Sequence, residues 1–323
     1  MIIQKSFALV ILFASTLVAQ VPNKDLYQHL QDVSVTVKSF AGEGSGVIVT
    51  REVALPSGKK EKVNFVWTAA HVVDGLRSVR SAIKDGRPSR IVEFKDAQIV
   101  KELVENGRRV GEIKMEAKII KYSDSENGED LALLMIRKKG FIGKTTTFHT
   151  SEESVPIGTE LYHVGSLLGQ VGSNSMTRGI LSQIGRVLDL GTGDGVVFDQ
   201  TSCPGFPGSS GGGVFLSERN KGHEGHYVGM LVRGAGETFN LIVPVRRMRK
   251  YAKANGILWA LDKNVAVPPY DQILKLPVEG TIDSKDGKGR KSSKASKDFP
   301  FLFRHDTTPR GISPFLPRRP IED

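Results

Sequence analysis

Disulfide bonds are the first device this chain cannot use: its 323 residues include one cysteine, Cys203, so no internal bridge can form and packing alone has to hold the fold. Long apolar runs are equally scarce. After residues 7–19 no segment approaches the roughly 20 residues that a membrane-spanning helix needs, so the mature chain is expected to carry no transmembrane helix. Charge is unbalanced but not concentrated. Forty-five Lys and Arg against 35 Asp and Glu give a formal net charge of +10, which favours contact with acidic surfaces. The basic residues are spread along the chain without a nucleic-acid motif, so a solvated basic surface and no specific nucleic-acid partner are expected.

The N-terminus has a separate job. Lys5 supplies a positive start, residues 7–19 are apolar and too short to span comfortably, and Gln20 begins polar sequence. A signal peptide over residues 1–19 is the expectation, placing the mature chain in a secreted or periplasmic location. Leu17 departs from the small residue usual near such a cleavage site, and an uncleaved signal anchor stays open as the alternative. A body over residues 20–255 is followed at 256 by a change of composition. Residues 284–297 are rich in Lys, Ser and Gly without apolar periodicity, so the basic tail over 256–323 is expected to be partly disordered. Its apolar patches at 299–303 and 313–317 could dock on the body, bind a partner, be trimmed, or stay solvated.

Thirty-five glycines and many short Val- and Ile-rich runs between turn signals favour an all-β body. The clearest strands are predicted over residues 33–40, 46–50, 63–68, 113–121, 131–136, 180–187, 213–216 and 227–232, and the clearest helix over 246–254.

Three blocks carry chemistry: Thr68-Ala69-Ala70-His71, Asp130 opening the apolar run Leu131-Ala132-Leu133-Leu134, and Gly208-Ser209-Ser210-Gly211-Gly212. A serine hydroxyl is a poor nucleophile in neutral water. It needs an imidazole to take its proton and a carboxylate to fix the imidazole's tautomer and stabilise its charged form. His71, Asp130 and Ser210 are the candidates for those roles. Backbone N–H groups can converge on a developing oxyanion only where the chain turns without side chains in the way, which the glycines around Ser210 permit. Gly208 and Ser210 are the expected donors, and a rate rising with pH through an apparent pKa of roughly 6 to 7 is expected of a neutral-imidazole base.

Together these blocks resemble the trypsin-like, chymotrypsin-fold serine proteases, most closely the bacterial HtrA/Deg-like branch. Gly44-Ser45-Gly46-Val47-Ile48-Val49 resembles an early barrel strand of that family, and the runs 161–165, 177–182 and 196–201 fall where it places strands of its second barrel. The resemblance covers about residues 30 to 250. It implies two six-stranded antiparallel β-barrels with a closing C-terminal helix, and a serine endopeptidase acting on polypeptides through an acyl-enzyme. A catalytically weak protease-fold binding or chaperone-like protein is the alternative.

The resemblance also locates departures from the family. Ser209 stands where zymogen members carry an aspartate that pairs with a new N-terminus, so activation by that ion pair is not expected, and no PDZ-like extension follows the body. Alignment through Ser210 places Pro204 near the floor of the specificity pocket and Val232 and Gly234 on the strand that pairs with substrate. No carboxylate is evident at the floor, which favours an apolar or small residue before the scissile bond, with Glu237 as the main threat to that reading. Cys203 reads as a small buried hydrophobe. His223-Glu224-Gly225-His226 has its histidines three apart and glycine neighbours, which favour a turn between strands over a metal site. His29, His149, His163 and His305 have no comparable context. No cofactor and no metal are expected.

Overall fold

The computed structural model describes residues 24–279 except 85–86, 106–107, 127, 152, 190–194 and 235–236. The expected signal peptide and the tail beyond residue 279 lie outside the described residues. A short helix α1 (Lys24–Asp32) precedes β1 (Ser34–Lys38), β2 (Glu43–Ala54) and β3 (Lys60–Thr68). A single helical turn α2 (Ala70–Val73) leads to β4 (Arg77–Lys84), β5 (Arg87–Phe94), β6 (Ala97–Glu105), β7 (Arg108–Ser123) and β8 (Leu131–Ile136). Six of these strands close a barrel in the order β1-β2-β3-β8-β7-β6, and β4 and β5 form a separate two-stranded sheet.

The second half repeats the architecture. Strands β9 (Glu160–Leu167), β10 (Gly172–Asp189), β11 (Gly195–Thr201), β12 (Gly213–Leu216), β13 (Tyr227–Gly234) and β14 (Asn240–Pro244) close in the order β10-β11-β14-β13-β12-β9. Helix α3 (Val245–Ala254) follows, one residue longer than the helix expected at 246–254, and α4 (Tyr270–Leu274) lies further on. All pairings within the two barrels are antiparallel, as the resemblance implies.

Burial explains why the sequence takes this form. Side chains of a strand alternate between faces, so the six-residue run of β8, buried throughout, must be covered on both sides. Packing continues across the boundary expected at residue 255, because Ile257, Trp259, Ala260, Leu261 and Ile273 belong to the main core. Trp67 donates its indole N–H to Ala260 O at 3.1 Å, Arg51 Nε donates to Trp259 O at 2.8 Å, and the Phe65 and Trp259 rings meet edge to face at 4.8 Å. The chain then returns to the first barrel, where Tyr122 N donates to Val278 O at 2.8 Å.

Candidate active site

Strand β3 ends at Thr68, and Ala69 crosses in extended conformation into α2, which carries His71. Asp130 reaches it from the connection before β8. The carboxylate receives the His71 backbone N–H at 3.1 Å, and His71 Nδ1 lies 3.0 Å from both Oδ1 and Oδ2. The carboxylate oxygens can only accept, so Nδ1 carries the proton and Nε2 keeps its lone pair. Asp130 holds this position with a left-handed φ of 55°, a conformation a non-glycine residue adopts only where the surroundings impose it. Arg247 of α3 braces the approach, pairing with the Glu129 carboxylate and donating to Glu129 O at 3.1 Å.

Ser210 comes to the same place from the loop before β12. Val72, next to His71, and the Ser210 carbonyl both press on Gly44 of β2: a Cβ there would fall 2.5 Å from Val72 Cγ2 and 3.0 Å from Ser210 O. The Ser210 side chain is half-buried, while its carbonyl accepts Ser45 N–H at 2.7 Å. No hydrogen bond joins Ser210 Oγ to the imidazole in this structure. Such bonds are often long in apo enzymes and tighten when substrate fills the site.

The loop's amides divide into two sets. Ser209, Gly211 and Gly212 donate to Phe206 O, Leu231 O and Ser209 O, whereas Gly208 N–H and Ser210 N–H find no acceptor among the described residues. Gly208 has a φ of +93°, and its carbonyl accepts Ser45 Oγ–H at 2.7 Å. Ser45 Oγ in turn accepts Ser166 N–H at 2.7 Å, so one hydroxyl of the first barrel links a strand of the second barrel to the loop. Ser209 is fully buried and its Oγ accepts Phe206 N–H at 3.0 Å, so it closes the turn locally. Sequence reasoning placed Ser45 on an early barrel strand but gave it no role, because nothing in the sequence shows that its hydroxyl meets Gly208 and Ser166.

Electrostatics separates the pair. Burial works against an imidazolium at His71, but the charge of Asp130 and its hydrogen bond outweigh it, and the pKa lies above the ordinary 6.5. Burial also works against a charged Asp130, yet the charge and hydrogen bond of His71, with help from Arg233, hold its carboxyl at about 2. Arg233, with Nη2 4.0 Å from Asp130 Oδ2 and donating to Ser125 O at 3.0 Å, was not foreseen. Its charge opposes the proton on His71.

Pro204 precedes the loop, and Val232 and Gly234 lie on β13. Pro204 O accepts Thr177 Oγ1–H at 2.8 Å. Gly205 beside it faces Leu231 and Asn240, and Asn240 Oδ1 is buried there without a partner. Val232 is the extra residue of a bulge in β13, between the pairs Leu231–Ile242 and Arg233–Leu241, with its side chain in the core. Glu237 is exposed, its backbone carbonyl accepting Asn240 Nδ2 at 3.2 Å. Burial pushes the Cys203 thiol up to about 11, and its Sγ lies 3.5 Å from Leu161 O, consistent with a packed, unreactive residue.

His163 is fully buried on β9, its Nδ1–H donating to Gly213 O at 3.1 Å and its Nε2 without a partner. Burial lowers its pKa to about 4. The unfolded chain, titrating near 6.5, therefore takes up a proton that the folded chain refuses. The contribution to stability is complete above pH 6.5 and is lost as pH falls from there to about 4, at a total cost of up to about 3 kcal/mol. Urea titrations across this window should show a shallower loss in His163→Gln than in wild type; equal slopes would count against a neutral buried His163.

His223 and His226 do lie in a turn between β12 and β13, as their spacing suggests, but His149 from the connection between the barrels joins them. Burial, and then the charge of His223, lowers the pKa of both His149 and His226.

Residues 44–223 match the family described as trypsin-like peptidase domain. The chain belongs to the trypsin-like peptidase family. Among solved structures it is similar to Deg5 (21% identity, TM-score 0.48, covering 74% of this chain and 95% of that one). It is also similar to the serine endoprotease from Yersinia pestis (18%, 0.47, 74% and 68%). A third is the MamO protease domain from Magnetospirillum magneticum (17%, 0.45, 69% and 96%). No curated protein sequence matches the chain.

Proposed function

We propose that this trypsin-like peptidase is a serine endopeptidase in which Ser210 is the nucleophile, His71 the general base and Asp130 the group that orients and stabilises His71. The observation that carries the reading is the His71 imidazole, held at 3.0 Å by both oxygens of a carboxylate only 3% exposed, next to a loop with two unpartnered amides. Ser210 Oγ attacks the substrate carbonyl carbon as its proton passes to His71 Nε2. The Gly208 and Ser210 N–H groups receive the oxyanion, and His71 then returns the proton to the leaving amine nitrogen, leaving an acyl ester on Ser210. Water attacks that ester with His71 again as base, releasing the acid. Pro204, Val232 and Gly234 are proposed to contact substrate, and the groups that Gly205 faces, Leu231 and Asn240, carry no charge, which favours an uncharged residue before the scissile bond.

The export reading remains part of this proposal and rests on Lys5 and residues 7–19. Among the described residues no helix is long and apolar enough to cross a membrane.

A fluorophosphonate probe tests the proposal, because it reacts only with an activated serine. Ser210 should be labelled, and the labelling rate should rise with pH as His71 loses its proton, at a pH above the ordinary imidazole value since Asp130 favours the charged form. Arg233→Met removes a positive charge that opposes protonation of His71, so the profile should move to higher pH. Absence of labelling would leave the alternative of a protease-fold binding protein. A profile unmoved in Arg233→Met would remove Arg233 from the electrostatics of the site.

A further inference from the structure

Away from the residues proposed for peptide hydrolysis, three imidazoles converge at one end of the second barrel. His149 lies on the connection between the barrels, and His223 and His226 lie in the β12–β13 turn. One ligating nitrogen of each lies within 4.8 Å of the others. The rings touch pairwise, with centroids 5.1 Å apart for His223 and His226, 5.3 Å for His149 and His223, and 6.3 Å for His149 and His226. Among the described residues none of their nitrogens hydrogen-bonds to protein.

The backbone holds two of the three in place. Tyr227 N donates to Thr147 O at 2.8 Å and His149 N to Tyr227 O at 2.9 Å, so the segment carrying His149 is stitched beside the strand that follows His226. Within the turn, His226 N donates to His223 O at 3.1 Å, while Leu216 N donates to His226 O and Gly225 N to Leu216 O, both at 2.9 Å. His223 is exposed at the tip, free to turn its ring toward the other two.

We propose that His149, His223 and His226 bind a Zn2+ ion that ties the inter-barrel connection to the β12–β13 turn. An all-imidazole set selects late first-row divalent metals and has little affinity for Mg2+ or Ca2+, which require oxygen ligands. Tetrahedral Zn–N bonds of 2.0–2.1 Å place ligand nitrogens about 3.3 Å apart, so the three nitrogens, within 4.8 Å of one another, must draw together by rotation of all three rings. The fourth position falls to water or to the adjacent carboxylate of Glu224. The three-residue spacing of His223 and His226 and their glycine neighbours argued for a turn over a metal site; the turn is there, and His149 joins it. The third ligand comes from a segment far away in sequence and is supplied by the fold. The site is separate from the peptidase chemistry, so its expected effect is on stability.

The test is calorimetric titration with Zn2+ of the full chain, free of any affinity tag and carrying Ser210→Ala so that peptidase activity does not enter the readout. One Zn2+ per chain should bind, undisturbed by excess Mg2+, and should raise Tm as a ligand specific to the folded state does. His149→Ala and His223→Ala should each weaken binding by at least about 10-fold, since loss of an outer-shell partner alone costs that much. His223 is exposed, so its replacement tests the site even where His149→Ala disturbs packing. Absence of saturable binding at one ion per chain, or unchanged affinity in His223→Ala, would overturn the proposal.

Discussion

Ser210→Ala is expected to lower kcat/KM for peptide hydrolysis by at least about 10⁴-fold while leaving the thermal melt unchanged. The hydroxyl is half-buried at the mouth of the loop and makes no hydrogen bond that the fold depends on, whereas the backbone carbonyl that does, accepting Ser45 N–H at 2.7 Å, survives the substitution. His71→Ala should cost nearly as much, and the double variant should be no worse than the single ones, because a nucleophile without its base and a base without its nucleophile are equally idle. Steady-state kinetics on a peptide substrate decides this. Multiplying losses in the double variant, or comparable activity in Ser210→Ala, would mean that the two residues do not act on one proton.

Much of the candidate site was legible because each residue type brings a local backbone signature. The short alanines before His71 mark the tight passage from β3 into α2, and the apolar run after Asp130 is a strand buried on both faces. Most barrel strands rich in Val, Ile and Leu were legible for the same reason. Strands β4, β5, β6 and β14 were not: charged residues recur along the first three and blur the alternation that marks a half-buried strand, and β14, apolar over Leu241-Ile242-Val243, is only five residues long. Trp259 and Ala260 were assigned to a tail because the composition changes at 256; their partners, Phe65 and Arg51 for Trp259 and Trp67 for Ala260, are supplied by the other end of the chain. The linkages through Ser45, Arg233 and His149 were illegible for a related reason. A polar residue's role depends on what the fold sets opposite it, and neither Gly208 opposite Ser45 nor Asp130 beside Arg233 is a neighbour in sequence.

Gly208→Ala should reduce kcat by at least about 10²-fold, the usual loss when one oxyanion donor is removed, with much less change in KM. Two constraints at this position act together. The backbone has a φ of +93°, which an alanine adopts only with strain, and the new Cβ would fall 2.3 Å from Ser166 O and 2.5 Å from Gly169 N. Both neighbours are backbone atoms and cannot rotate aside, so the loop itself must shift and take the unpartnered Gly208 and Ser210 amides with it. Ser45→Ala is the graded companion: it removes the hydroxyl that receives Ser166 N–H and donates to Gly208 O, leaves φ unchanged, and should give a smaller loss in kcat in a chain that still folds. The order wild type, Ser45→Ala, Gly208→Ala in falling kcat, at nearly constant KM, is what an oxyanion hole positioned by Ser45 requires. Losses confined to KM would instead show that the loop binds the ground state and that the oxyanion is stabilised elsewhere.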